Sequence, residues 1–401
     1  MLEKKLIFEG KTIENRVLFQ PMEGCDCEED GSPSFLTAEK YLKAAKSHAG
    51  VIWFEANAVC KEGRTNPRQM MLTRENLPVF KALLTEMKEA AKQECGYAPV
   101  TFLQLTHSGR QSIVPMIAYR HELYEKTRPL SDENIVTDEY LDTLPALYAQ
   151  SALLAKEAGF DGVDVKSCHG YLFQELLSAF TRTGRYGGSF ENRTKLYLDC
   201  VKAVKAAVGT DFSVVTRLGA SDVLPKPFGF GTNEKGEVDL TETKRLIQAL
   251  SDLGVNMVNI TIGNPYYNPH INRPYRQGFY DAPETPEEGL ARFERVEKEL
   301  KDAFPKIVFV GSGLSYYRAD LMEKAESQIE RGICDLVGFG RETLAYPEFY
   351  RDYKKGKFEG KKTCVACSKC TALMRAKNVA GCAVFNEYYK NLYKEKIVCK
   401  K

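Results

Sequence analysis

The chain lacks the features that would tie it to a nucleic acid, a bilayer or a secretory route. Its 56 Lys+Arg are met by 54 Asp+Glu, a formal charge of +2 over 401 residues. No overall field therefore favours a polyanion or an anionic membrane. The longest uninterrupted apolar runs are a few residues, too short to span a hydrocarbon core. Glu3, Lys4 and Lys5 stand where a signal peptide would begin its apolar stretch, which argues for a cytoplasmic protein. No G-x-G-x-x-G run follows an apolar stretch. Gly311-Ser312-Gly313 comes nearest, with Tyr316 where the third glycine should stand, so a separate dinucleotide-binding domain is not expected.

What the chain has in quantity is cysteine, twelve in all. In a reducing compartment these are thiols, metal ligands or core residues, not disulfides. Cys25, Cys27, Cys60, Cys95, Cys168, Cys200, Cys334 and Cys399 are scattered and read as small buried hydrophobes. Cys364, Cys367, Cys370 and Cys382 are different, with the spacing C-x2-C-x2-C-x11-C. Three thiolates on one tight turn with a distant fourth suit a [4Fe–4S] cluster. Zinc, which more often takes two separated pairs, stays open as the alternative, as does a metal-free remnant.

Short β-rich apolar runs recur at Val17–Gln20, Val51–Glu55, Val100–Leu105, Gly162–Lys166, Phe212–Leu218, Val255–Thr261, Ile307–Gly311 and Asp335–Gly340. Helical patterns lie between most of them, among them 144–158, 194–207, 241–253 and 285–304. Eight alternations predict a (β/α)8 TIM barrel over residues 1–350, with a doubly wound sheet as runner-up. Lys4–Asn15 reads as an N-terminal β-hairpin that could plug the bottom of the barrel. Residues 351–401 read as a C-terminal cysteine-rich extension, an appendage to the barrel.

Barrel chemistry collects at the carboxyl ends of the strands. Those ends hold Pro21-Met22-Glu23, Ala56, Gln104, Lys166 to His169, Arg217, Gly311-Ser312-Gly313 and Gly340-Arg341. Gln104 and Arg217 close strands that are otherwise apolar, and two polar ends facing one mouth favour a ligand. Gln can donate and accept at once, which suits a heterocycle edge. Arg217 can neutralise an anionic ring. The glycine-rich turns after the last two strands suit a phosphate. Together these point to a nucleotide-like cofactor such as flavin mononucleotide (FMN).

The motifs F-Q-P-M-E-G, Q-L-T-H-S-G-R-Q at 104–111, H-G-Y-L at 169–172, R-T-G-R-Y-G-G-S-F-E-N-R at 182–193 and D-L-V-G-F-G-R at 335–341 together resemble the Old Yellow Enzyme family. They resemble most its branch of NADH:flavin oxidoreductases and 2,4-dienoyl-CoA reductases. The resemblance implies FMN-dependent reduction of an activated alkene, with NAD(P)H as the source of electrons and an enone or enoate as substrate. It implies that Gln104 and Arg217 hold the flavin ring, that Pro21, Met22, Glu23 and Ala56 lie along it, and that Gly311, Ser312, Gly313, Gly340 and Arg341 hold its phosphate. His169 matches the second residue of the substrate-binding pair, and Tyr171 the proton donor. Lys166 stands where most members have the first histidine of that pair. The four cysteines resemble the iron–sulfur segment of dienoyl-CoA reductases and trimethylamine dehydrogenase. The chain reads as a short form without the FAD/NAD domain of such relatives, so either NAD(P)H or an electron-donor protein supplies electrons. A homo-oligomer fits the resemblance as well as a monomer does. A trimethylamine-dehydrogenase-like amine oxidation, and a non-catalytic electron-transfer role, are the competing readings.

Overall fold

The structure is a computed structural model that describes residues 1–399. Two three-residue strands open the chain, β1 (Leu6–Phe8) and β2 (Lys11–Ile13), paired antiparallel. Eight more follow at intervals: β3 (Val17–Phe19), β4 (Val51–Ala58), β5 (Val100–Thr106), β6 (Gly162–Val165), β7 (Ser213–Gly219), β8 (Met257–Thr261), β9 (Val308–Gly311) and β10 (Leu336–Phe339). All eight run parallel, and β10 pairs with β3 to close the barrel. Parallel strands are covered on both faces, so they read as near-continuous apolar runs and not as alternating ones. β4 shows this in V-I-W-F-E-A-N-A, buried at every position. The hairpin delivers Phe8 and Ile13 into a cluster with Trp53, Phe102, Met257 and Leu336, and so plugs the barrel's amino end as expected.

The helices form where polar caps precede an apolar stripe. Thr137 and Ser189 accept backbone N–H groups at the starts of Asp138–Ala158 and Phe190–Val208, and Thr285 forms a capping box with Glu288 at the start of Pro286–Ala303. Such caps are each worth about 1 kcal/mol. The first of these helices starts six residues before the sequence reading, because Thr137 caps it and Pro145 is carried inside. No helix among the described residues is long and apolar enough to cross a membrane.

The extension does more than append. Ala380 N donates to Gly24 O (2.7 Å) and Cys364 N to the Glu342 carboxylate (2.8 Å). Arg375 Nη2 donates to Pro265 O (2.6 Å). These bonds lay the short helix Lys369–Arg375 across the carboxyl end of the barrel.

Candidate active site

Strand ends and loops meet in a cleft of about 1150 Å³, open to solvent at the barrel's carboxyl end. At its floor, Gln20 is locked by reciprocal amide bonds with Asn259 (2.8 and 3.1 Å) and by Ser312 Oγ (3.2 Å). One wall carries Gln104 and Arg217, ordered from beneath by Asp164. That carboxylate accepts from Gln104 Nε2 (2.7 Å), Trp53 Nε1 (3.0 Å) and Arg217 N (2.7 Å). Because the amide nitrogen of Gln104 is committed to Asp164, its carbonyl oxygen is left as an acceptor for a ligand N–H. Burial pushes the Asp164 carboxyl up to about 6, against these three donors.

Lys166, His169 and Tyr171 follow the end of β6, between the strands that carry Gln104 and Arg217, and line the same cleft. Lys166 is buried, and its Nζ lies 3.9 Å from the centre of the Tyr171 ring. An ammonium over an aromatic face is favourable, and a developing phenolate would strengthen the contact. Burial lowers the Lys166 ammonium from its ordinary value. Burial, with Arg217, Lys166 and Arg273 nearby, holds the His169 imidazole neutral, well below its usual range. The Tyr171 hydroxyl is pushed well above its usual value by burial and by Glu23. It lies 3.4 Å from both the Glu23 carboxylate and the Tyr266 hydroxyl. His169 and Gly170 both take positive φ, 66° and 68°, and this turn aims the imidazole and the phenol into one space. A side chain at Gly170 would also collide with Asn264, 2.2 Å from where its Cβ would stand.

The cleft gathers Pro21, Met22, Glu23, Ala56, Gln104, Lys166, His169, Tyr171, Arg217, Ser312, Gly313, Gly340 and Arg341. Gly311 alone of the barrel residues named from sequence does not line it. A side chain there would point away, toward Cys334, Glu297 and Gln328. Glu23 is drawn aside by Thr65 Oγ1 (2.9 Å) and Asn66 Nδ2 (3.3 Å). Tyr266, from the long loop after β8, also lines the cleft, and sequence reading missed Arg273, from the same loop, and Thr371, Met374 and Arg375, from the extension. The extension is therefore a wall of the site.

Buried donors in the cleft lack protein partners: Nε of Arg217, Nη1 of Arg341, and Nε and Nη2 of Arg273. Burial, then the like charges of Arg375 and Arg341, lowers the Arg273 guanidinium to about 10. Cationic donors with no acceptor, next to a fixed Gln carbonyl, fit a phosphorylated heterocycle such as FMN. The cysteines do not fit their expected group in the same way. Cys364, Cys367, Cys370 and Cys382 are half-buried, and no three Cys, His, Asp or Glu side chains gather into a metal site among the described residues. Burial raises the Cys364 thiol to about 12, with Cys370 adding to the effect.

Residues 5–359 match the model of the NADH:flavin oxidoreductase / NADH oxidase family. The NADH oxidase of Thermoanaerobacter brockii is 27% identical over 365 residues, 89% of this chain and 51% of that protein. The cinnamate reductase of Clostridium sporogenes is 26% identical over 392 residues, 93% of this chain and 55% of that protein. The chain thus spans about half the length of these relatives. A solved 2-naphthoyl-CoA reductase superposes with a TM-score of 0.79 at 20% identity, over 98% of this chain and 58% of that one, which establishes a shared fold. With the barrel, the cleft and the match over residues 5–359 in hand, the chain belongs to the NADH:flavin oxidoreductase / NADH oxidase family, the family of Old Yellow Enzyme.

Proposed function

We propose that the protein is an FMN-dependent reductase that transfers the electrons of NAD(P)H to the C=C bond of an α,β-unsaturated carbonyl or carboxyl compound. The observation that carries this reading is the sharing of one cleft by Tyr171, His169 and Lys166 with Gln104 and Arg217. FMN, when bound, supplies hydride from its reduced ring. Gln104 and Arg217 would hold the polar edge of that ring, with Pro21, Met22 and Ala56 along it. Ser312, Gly313, Gly340 and Arg341 would hold its phosphate. Lys166 and neutral His169 would grip the substrate oxygen and stabilise the enolate. Tyr171 would give its proton to the α-carbon.

The cinnamate reductase among the relatives supports a carboxyl-conjugated alkene, and the buried ammonium of Lys166 suits its charge. An amine-oxidising reading would set a cationic substrate among Lys166, Arg217 and Arg273, where like charge opposes it. Residues 1–350 would serve as the barrel and those from 351 as an extension, whose helix Lys369–Arg375 covers it. NAD(P)H is the proposed reductant, with an electron-donor protein as the alternative. A metal cluster at the four cysteines is supported by their spacing and by the resemblance of their segment to iron–sulfur segments. Iron, zinc and acid-labile sulfide, measured on protein purified without oxygen, test it.

The function is tested by an anaerobic spectrum. NADH or NADPH should bleach the flavin, and an enone or trans-cinnamate should restore it. Flavin that neither nicotinamide bleaches, but a tertiary amine does, would overturn the reading in favour of amine oxidation. Flavin inert to both would leave a non-catalytic electron-transfer protein.

A further inference from the structure

We propose that Tyr266 admits solvent protons to Tyr171, so that two protons move when the alkene is protonated; this rests on the reductase reading above. Tyr171 is 3% exposed and Tyr266 is 41% exposed. Their hydroxyls lie 3.4 Å apart, and their rings stack at 6.3 Å and 29°. A substrate filling the cleft would cut Tyr171 off from bulk water but leave Tyr266 at the rim.

The direction of transfer follows from Glu23. Its carboxylate accepts from Thr65 Oγ1 (2.9 Å), Asn66 Nδ2 (3.3 Å) and the Tyr171 hydroxyl (3.4 Å). Three donors converging on one carboxylate make it an acceptor, not a source of protons. The single proton of Tyr171 faces Glu23 in the empty cleft and turns to the α-carbon when substrate is bound; in both settings Tyr266 is the neighbouring hydroxyl able to supply its replacement. Lys166 Nζ, over the Tyr171 ring, offsets negative charge while the proton is in flight. The other groups around the pair are Cys25, on the Glu23 side, and Arg375, beside Tyr266.

The step balances. Bound FMN, reduced by NAD(P)H, would supply the hydride pair to the β-carbon. The Tyr171 O–H bond breaks as the α-carbon–H bond forms, and in the same step the Tyr266 proton passes to the Tyr171 oxygen. Tyr266 then takes a proton from solvent.

The test is a proton inventory, the rate of reoxidation of the reduced holoenzyme by 2-cyclohexen-1-one or trans-cinnamate in mixtures of H2O and D2O. The wild type should give a bowed plot, the sign of two protons in flight. Tyr266→Phe, which keeps the stacked ring, should give a straight line and a rate lower by about 10²-fold, the low end for a general acid. FMN affinity, read by fluorescence, should be unchanged and so exclude misfolding. A straight line for the wild type, or an equal rate and equal curvature in Tyr266→Phe, overturns the relay. If neither compound reoxidises the wild-type flavin, the reductase reading falls and the relay with it.

Discussion

The barrel mouth and the extension both carry residues that the sequence marks for chemistry, and they present them differently. At the mouth, Gln104, Lys166 and Arg217 sit at or beside the ends of β5, β6 and β7. Hydrogen-bonded strands fix where each side chain points, and Asp164 fixes two of them further. In the extension, the cysteines lie on loops and a seven-residue helix, with Ala366 and Ser368 at positive φ. Nothing in the barrel's strand pairing holds those thiols. A strand end sets its geometry before any ligand arrives, whereas side chains on irregular backbone are not held in place by strand pairing. Yet the extension still shapes the site, through Thr371, Met374 and Arg375.

The largest effect that would sharpen this contrast is expected at the mouth. Tyr171→Phe should slow reoxidation of the flavin by the alkene by about 10²–10⁴-fold while reduction by NAD(P)H stays near the parent rate. Stopped-flow spectra of the two half-reactions check it, and equal losses in both would remove Tyr171 from the proton step. Asp164→Asn should come next. With an amide below it, Gln104 can turn its nitrogen to the cleft, and FMN affinity should fall roughly 10–100-fold, the worth of a hydrogen bond to a charged group. Fluorescence titration of apoprotein measures this. Unchanged affinity would mean that Asp164 only closes a core hydrogen bond.

A pH experiment separates the two regions. The histidines of the sequence all lie before the extension. Burial lowers His107 and His121 to about 4, and holds His169 well below its ordinary value too. A base whose folded pKa is depressed leaves the unfolded chain binding more protons below about 6.5, so stability is full above that pH and declines as pH falls. Asp164 and Asp222, raised by burial to about 6 and about 7, act with the opposite sign. The check is therefore differential. His121→Gln should flatten the fall in stability between pH 6.5 and 5 by roughly 1 kcal/mol per pH unit. Denaturant melts at each pH measure it, and parallel curves would refute it.

The smallest effect is expected in the extension. Arg375→Ala should raise KM for an anionic alkene about threefold, as loss of a partly exposed charge contact does, with FMN affinity intact. A loss of FMN affinity matching that of Asp164→Asn would break the contrast, because the extension would then hold cofactor as well as substrate.

All eight barrel strands were legible to within three residues, because strands covered on both faces write themselves as apolar runs with polar ends. Gln104, Arg217 and Lys166 were legible for the same reason. Asp164 carried a signal that went unused: a carboxylate inside G-V-D-V has to find buried donors. Arg273 was not legible, since the loop after β8 has no period. Neither was the return of Thr371, Met374 and Arg375 to the mouth, which depends on contacts such as Ala380 with Gly24, 356 residues away in sequence. Gly311 was misplaced by a single strand position, enough to turn it to the other face.

Lys166, Arg217, Arg273, Arg341 and Arg375 meet one carboxylate, Glu23, around the cleft. Such a ring of cations repels itself until an anion enters, so whatever anion fills it becomes part of the folding equilibrium. A ligand at one hundred times its dissociation constant adds about 2.7 kcal/mol to the stability of the native state. An anion bound there therefore protects the chain against proteolysis as well as filling its cleft.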